Sequence, residues 1–90
     1  MTPDAHDSLV LLFMETRQQR PPVWDGEAWQ RWLASIAQVI AAYQRPERRW
    51  GAIVLIADDL QRAMPGLSLA LAYGAVEEAV RQAAFTRIHS

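Results

Sequence analysis

The sequence predicts an all-α protein, a small four-helix bundle-like domain with helices over approximately residues 3–20, 25–44, 47–64 and 68–85. Three observations predict it. Prolines at positions 3, 21, 22, 46 and 65 cut the chain into four segments of helical length. Within these segments large apolar residues recur three and four apart, the spacing of one helix face. Three acid-before-base pairs at four-residue spacing, Glu27–Arg31, Asp58–Arg62 and Glu77–Arg81, fall in three different segments. That order supports a solvated helix by about 0.2–0.5 kcal/mol per pair.

The first helix starts at Thr2-Pro3-Asp4. A threonine can accept early amide hydrogens, proline suits the first helical position, and an aspartate favours the positive end of the dipole. It should end near Arg20, because Pro21-Pro22 forces extended backbone. The second start is the clearest. Asp25 is a good N-cap, and Trp24 and Trp29 have the spacing of a hydrophobic staple across it. Trp29, Trp32, Leu33, Ile36, Val39, Ile40 and Tyr43 then line one face, with Arg31, Ser35 and Gln38 opposite.

Pro46-Glu47 reads as the next first turn. Trp50, Ile53, Val54, Ala57, Leu60 and Met64 share a face behind it, which favours the core for Trp50. Residues 51–56 form a short apolar run that a buried strand would also fit; the continuing period favours helix. Pro65-Gly66 stops this helix and Ser68 can cap the last one. Its stripe is Leu69, Ala72, Tyr73, Val76, Ala79, Val80 and Ala83. Gly74 lies off the stripe, where it costs helix stability. The tail from Phe85 to Ser90 is expected to fray or tolerate extended backbone.

The segment Pro65-Gly-Leu-Ser-Leu-Ala70, followed by Tyr73, resembles the turn and recognition-helix start of winged-helix repressors of the ferric-uptake-regulator type. The likeness covers about a dozen residues and would imply DNA binding. Recognition helices present polar and basic groups to base edges. Here Leu69 to Val76 is almost wholly apolar and is followed by Glu77 and Glu78, so no family is assigned.

Composition narrows the function. Ninety residues make one domain, taken as 1–90. Apolar residues at 51% and charged residues at 21% describe a folded globular chain rather than a disordered one. The longest uncharged apolar stretch, Trp50 to Ala57, is too short to cross a bilayer. No basic region leads into an apolar run with a cleavage site, so no secretion signal is expected and the cytoplasm is the default compartment. The absence of cysteine excludes disulfides, zinc fingers and thiol catalysis. All nine basic residues are arginine, which with abundant alanine reads as a GC-rich coding bias. A net charge of −1 argues against a strongly cationic nucleic-acid binder.

No constellation for catalysis emerges. His6 and His89 stand near opposite ends of the chain, without metal-binding partners at helical spacing. Asp58-Asp59 and Glu77-Glu78 are neighbours on helices, about 100° apart, and read as solvated faces. No nucleophile elbow or phosphate-binding glycine loop occurs. The expectation is no enzyme, no cofactor, no metal and no small-molecule substrate.

What remains is surface. In the first helix Ala5, Leu9, Leu12 and Phe13 share a face, whereas Val10, Leu11 and Met14 point elsewhere. Leu55 misses its stripe, toward Arg48, Asp59 and Arg62; Leu71 and Phe85 lie among Glu78, Arg81 and Gln82. Either the first helix is buried on two sides, or a second apolar surface binds a partner or a second copy. Trp24, outside the helices, is the tryptophan best placed to rim such an interface.

The expected function is therefore a small adaptor, accessory or regulatory protein acting through protein–protein contact, with a homodimer as one form. Its candidate interface is Val10, Leu11, Met14, Trp24, Leu55, Leu71 and Phe85. The alternative is a helix-turn-helix-like nucleic-acid binder. It would contact phosphate, or an acidic partner, through Arg45, Arg48 and Arg49 beside Trp50.

Overall fold

The computed structural model describes the backbone of residues 5–89 and the side chains of residues 8–88. Four α-helices follow in order: α1 Ala5–Gln18, α2 Gly26–Ala41, α3 Pro46–Ala63 and α4 Leu69–His89. No strand occurs among the described residues, so residues 51–56 are helical. The helix start expected at Thr2-Pro3-Asp4 lies outside the described residues, as do the side chains of His6 and His89.

Local chemistry sets the boundaries. At the end of α1, Gln19 N–H bonds Thr16 O at 3.1 Å and Arg20 N–H bonds Arg17 O at 3.3 Å. These three-residue bonds tighten the last turn before Pro21-Pro22, two residues earlier than periodicity suggests. Asp25 is extended (φ −143°, ψ 112°) and its carboxylate accepts from Glu27 N–H at 3.1 Å. Trp24 and Trp29 stack across this cap with ring centroids 5.7 Å apart, so the staple forms.

α2 stops at Ala41 rather than residue 44, because Ala42 and Tyr43 amides turn back to Val39 O and Ile40 O. Pro46 opens α3 with no side-chain cap from Arg45. Gly66 adopts φ +97°, a left-handed conformation that glycine takes without strain, and so turns the chain between α3 and α4. Ser68 Oγ then accepts from Leu71 N–H at 3.2 Å, capping α4 as its position suggests. α4 continues past Phe85 to His89 instead of fraying.

All three acid–base pairs form, Glu27–Arg31 at 3.2 Å, Asp58–Arg62 at 3.1 Å and Glu77–Arg81 at 2.6 Å. They are solvent-exposed and contribute a few tenths of a kcal/mol each.

The packing sets α4 against both α2 and α3, and α1 against α2. α2 and α3 are consecutive, yet each touches α4 more than the other. The core is one cluster built on Ile36, Ile40, Ile56 and Val76, whose side chains are fully buried. Removing each such side chain from water contributes roughly 1.5–3 kcal/mol. Ala37, Ala57 and Ala72 are buried among them, and small residues there let helices approach closely.

Three positions depart from the helical-wheel expectation. Trp50, in the first turn of α3, is 61% exposed although Ile53, Ala57 and Leu60 on the same stripe are buried. No helix covers that end of the stripe. Leu12 and Leu69 are likewise exposed. The domain is slightly elongated: its radius of gyration is 13.1 Å, against about 12 Å for a compact chain of this length.

Candidate functional site

Three side-chain assemblies fix the scaffold, and each withdraws residues from the pool available to a partner. The first joins α1 to α3. Arg17 Nε and Nη2 donate to both carboxylate oxygens of Asp59 at 2.8 and 3.0 Å. The Asp59 side chain is 3% exposed and that of Arg17 30%. Asp59 is thus an interior anion, not part of a solvated Asp58-Asp59 face; only Asp58 is at the surface, with Arg62. The hydrogen bonds that it donates to Asp59 hold the Arg17 guanidinium above its ordinary pKa, against the desolvation of partial burial.

The second assembly is aromatic. Trp32 Nε1 donates to Thr16 O at 2.8 Å, in the buried interface of α1 and α2. Trp29 Nε1 donates to Val23 O at 3.2 Å, and its ring meets Trp32 edge-to-face at 5.1 Å. Trp29 and Trp32 are core residues, while Trp24 is half-exposed on the outer side of the stack. Phe13 meets Tyr43 edge-on at 6.5 Å. Burial raises the Tyr43 phenol above its usual pKa, and the Arg48 charge pulls it partly back.

The third assembly ends α2. Arg49 Nε donates to Tyr43 O at 2.6 Å and Nη2 to Ala41 O at 2.9 Å. A cation is well placed there, at the negative end of the helix dipole. Arg49 is therefore committed to the fold, and of the cluster Arg45, Arg48 and Arg49 only the first two are exposed. Trp50 beside them is exposed as well.

The candidate interface residues separate. Val10 is half-buried against the core. Leu11, Met14, Trp24, Leu55, Leu71 and Phe85 are exposed. They are divided among the elements: Leu11 and Met14 are on α1, Trp24 precedes α2, Leu55 is on α3, and Leu71 and Phe85 are on α4.

A groove appears that helical periodicity did not indicate. It has a volume of ≈750 Å³ and is walled by Leu9 and Leu12 of α1, floored by α2, and closed by Ala79, Gln82, Ala83 and Thr86 of α4. From α2 it takes Leu33, Ala34, Val39 and Ala42, with Gln30, Ser35 and Gln38 between them. Among the described residues, Arg87 is the one charged member of its lining, and no carboxylate or histidine belongs to it. The groove thus offers apolar area and neutral hydrogen-bonding groups, not a general acid–base pair. Sequence reasoning missed it because three helices supply it and no single helix carries its signature.

Among the described residues no three His, Asp or Glu side chains stand together as a metal site. No described helix is long and apolar enough to cross a membrane. No buried side-chain nitrogen or oxygen among the described residues lacks a hydrogen-bond partner, so none is left aimed at a missing ligand. Set beside known proteins, the chain matches no protein-family model, no characterised protein and no solved structure, and the functional reading rests on these surfaces.

Proposed function

We propose that this protein is a non-catalytic interaction module, a small adaptor, accessory or regulatory protein that receives an amphipathic helix of another protein. The observation that carries the reading is the apolar groove between α1, α2 and α4. Its volume falls in the range of recognition sites, roughly 300–1,000 Å³. Its walls are helices rather than converging polar loops, which suits a helix laid in by residues spaced three and four apart. The amides of Gln30, Gln38 and Gln82 can bond polar groups along the edges of such a helix without imposing a charge.

The surface around the groove fits the same role. Eleven large apolar side chains are exposed among the described residues, more than a small monomer needs to leave in water. Leu12 faces the groove, while Leu11 and Met14 carry apolar surface to the outer side of α1.

Affinity capture from the native host tests the proposal, comparing the wild-type chain with Leu12→Glu and Ala34→Arg. Both side chains are exposed, so the fold should survive, as circular dichroism would show. A specific partner should be lost from both variants, at least about 10-fold, by placing a charge in an apolar contact. Equal recovery by all three chains refutes the groove. A salt-sensitive shift of duplex DNA would instead favour phosphate contact through Arg45 and Arg48.

A further inference from the structure

The outer face of α4 repeats with a period of seven. Leu71, Glu78 and Phe85 are spaced seven apart, and so are Gly74, Arg81 and Ile88. The two rows are offset by three residues, the a/d spacing of a coiled coil, with apolar Leu71, Phe85 and Ile88 toward its ends and Glu78 and Arg81 at its centre. All six residues are exposed, with Leu71 at 66%, Phe85 at 63% and Ile88 at 78%. The opposite side of the helix, through Ala72, Val76 and Val80, is buried in the core. α4 therefore has one stripe for its own domain and a second, seam-like stripe facing away.

We propose that this seam pairs with the same seam of a second copy, antiparallel, about a twofold axis between Ala79 and Val80. This deepens the interaction reading by naming one partner and its surface. The argument is complementarity under that one operation. It sets Leu71 against the partner's Ile88, Gly74 against the partner's Phe85, and Glu78 against the partner's Arg81. Apolar meets apolar at both ends, a large ring meets a position without a side chain, and opposite charges meet in the middle, each contact occurring twice. A parallel pair would instead set Glu78 on the partner's Glu78 and Arg81 on the partner's Arg81.

One further observation fits. A Cβ placed on Gly74 would meet nothing within 4 Å, so no contact inside the domain requires glycine there. A mid-helix glycine costs stability, and close approach of a second helix supplies a reason for it.

The test is sedimentation of the full chain up to about 100 μM, a range that detects micromolar dimers. The wild type should be dimeric. Glu78→Arg and Arg81→Glu should each be monomeric, since each sets like charges across the axis, weakening association at least about 10-fold. Mixed one to one, the two variants should form a heterodimer, because every facing pair is then opposite in charge. Gly74→Leu should give a helical monomer, its side chain filling the space that the partner's Phe85 needs. A monomeric wild type, a single variant that still dimerises, or a mixture that stays monomeric overturns the proposal. Leu12→Glu alters the groove on the other side of α4 and should leave the dimer intact, so loss of the groove reading and loss of the dimer are separable.

Discussion

Replacing Arg17 with methionine should destabilise the fold far more than replacing Asp59 with alanine, although the two residues share one interaction. The asymmetry follows from burial: Asp59 is almost wholly enclosed, whereas Arg17 retains nearly a third of its side-chain surface in water. In Arg17→Met the methionine covers the path of the arginine stem but supplies no donor, and the carboxylate is left without its counter-charge. Breaking a buried pair from one side costs about 3–5 kcal/mol. The ceiling at pH 7 is the cost of simply protonating an aspartic acid, about 4 kcal/mol. Partial solvation of this pair places the expected loss at about 2–3 kcal/mol. For a domain of this size that lowers Tm by about 10–20 °C.

In Asp59→Ala the guanidinium can turn outward to water, so the loss should be only about 1 kcal/mol. The double variant removes both charges and should be more stable than Arg17→Met alone, a coupling of about 2 kcal/mol. Urea unfolding followed by tryptophan fluorescence measures all four chains, at one protein concentration because self-association shifts the midpoint. Equal losses in the two single variants, or a double variant less stable than Arg17→Met, would refute the reasoning.

Three other outcomes follow from the same geometry. Trp32→Phe keeps the ring's apolar bulk but removes one of the two hydrogen bonds to the Thr16 carbonyl, which keeps Gln19 N–H, so it should cost about 0.5–1.5 kcal/mol in chemical denaturation. Arg49→Met should cost about 1–2 kcal/mol by uncovering the Ala41 and Tyr43 carbonyls, while Arg45→Ala, at an exposed position, should stay within about 0.5 kcal/mol. The Tyr43 phenol has its folded pKa raised by burial, so its stabilising contribution is complete below the unfolded phenol's value of about 10 and is lost as pH rises through the folded value. Alkaline unfolding should accordingly be less steep in Tyr43→Phe than in the wild type, and identical pH profiles would sink that assignment.

The helices were legible because their signals are local. Asp25 lies two residues from the amide it caps, Trp24 five from the ring it stacks on, and each surface ion pair spans one turn. Proline and glycine act within their own peptide units, so Pro46 opens α3 and Gly66 ends the turn before α4. The buried stripe of α2 from Trp29 to Tyr43 was also legible, since periodicity states which residues share a face.

Periodicity does not state which face another helix covers, and there the tertiary structure decided. Trp50 lies on the same stripe as Ile53 and Ala57, but only the latter two have a helix over them. Asp59 resembles Asp58 in sequence, yet Arg17, 42 positions away, makes one an interior anion and leaves the other at the surface. Arg49 looks like a member of a basic cluster until the end of α2 is seen to occupy its guanidinium. The groove exists because α1, α2 and α4, from both ends of the chain, come together around it. The sequence by itself determined four helices, their caps and their solvated charge pairs, because those depend on neighbours within a turn or two. Tertiary structure alone decided which arginines are bound, which tryptophan is left in water and where a groove opens, because these depend on residues brought together from distant parts of the chain.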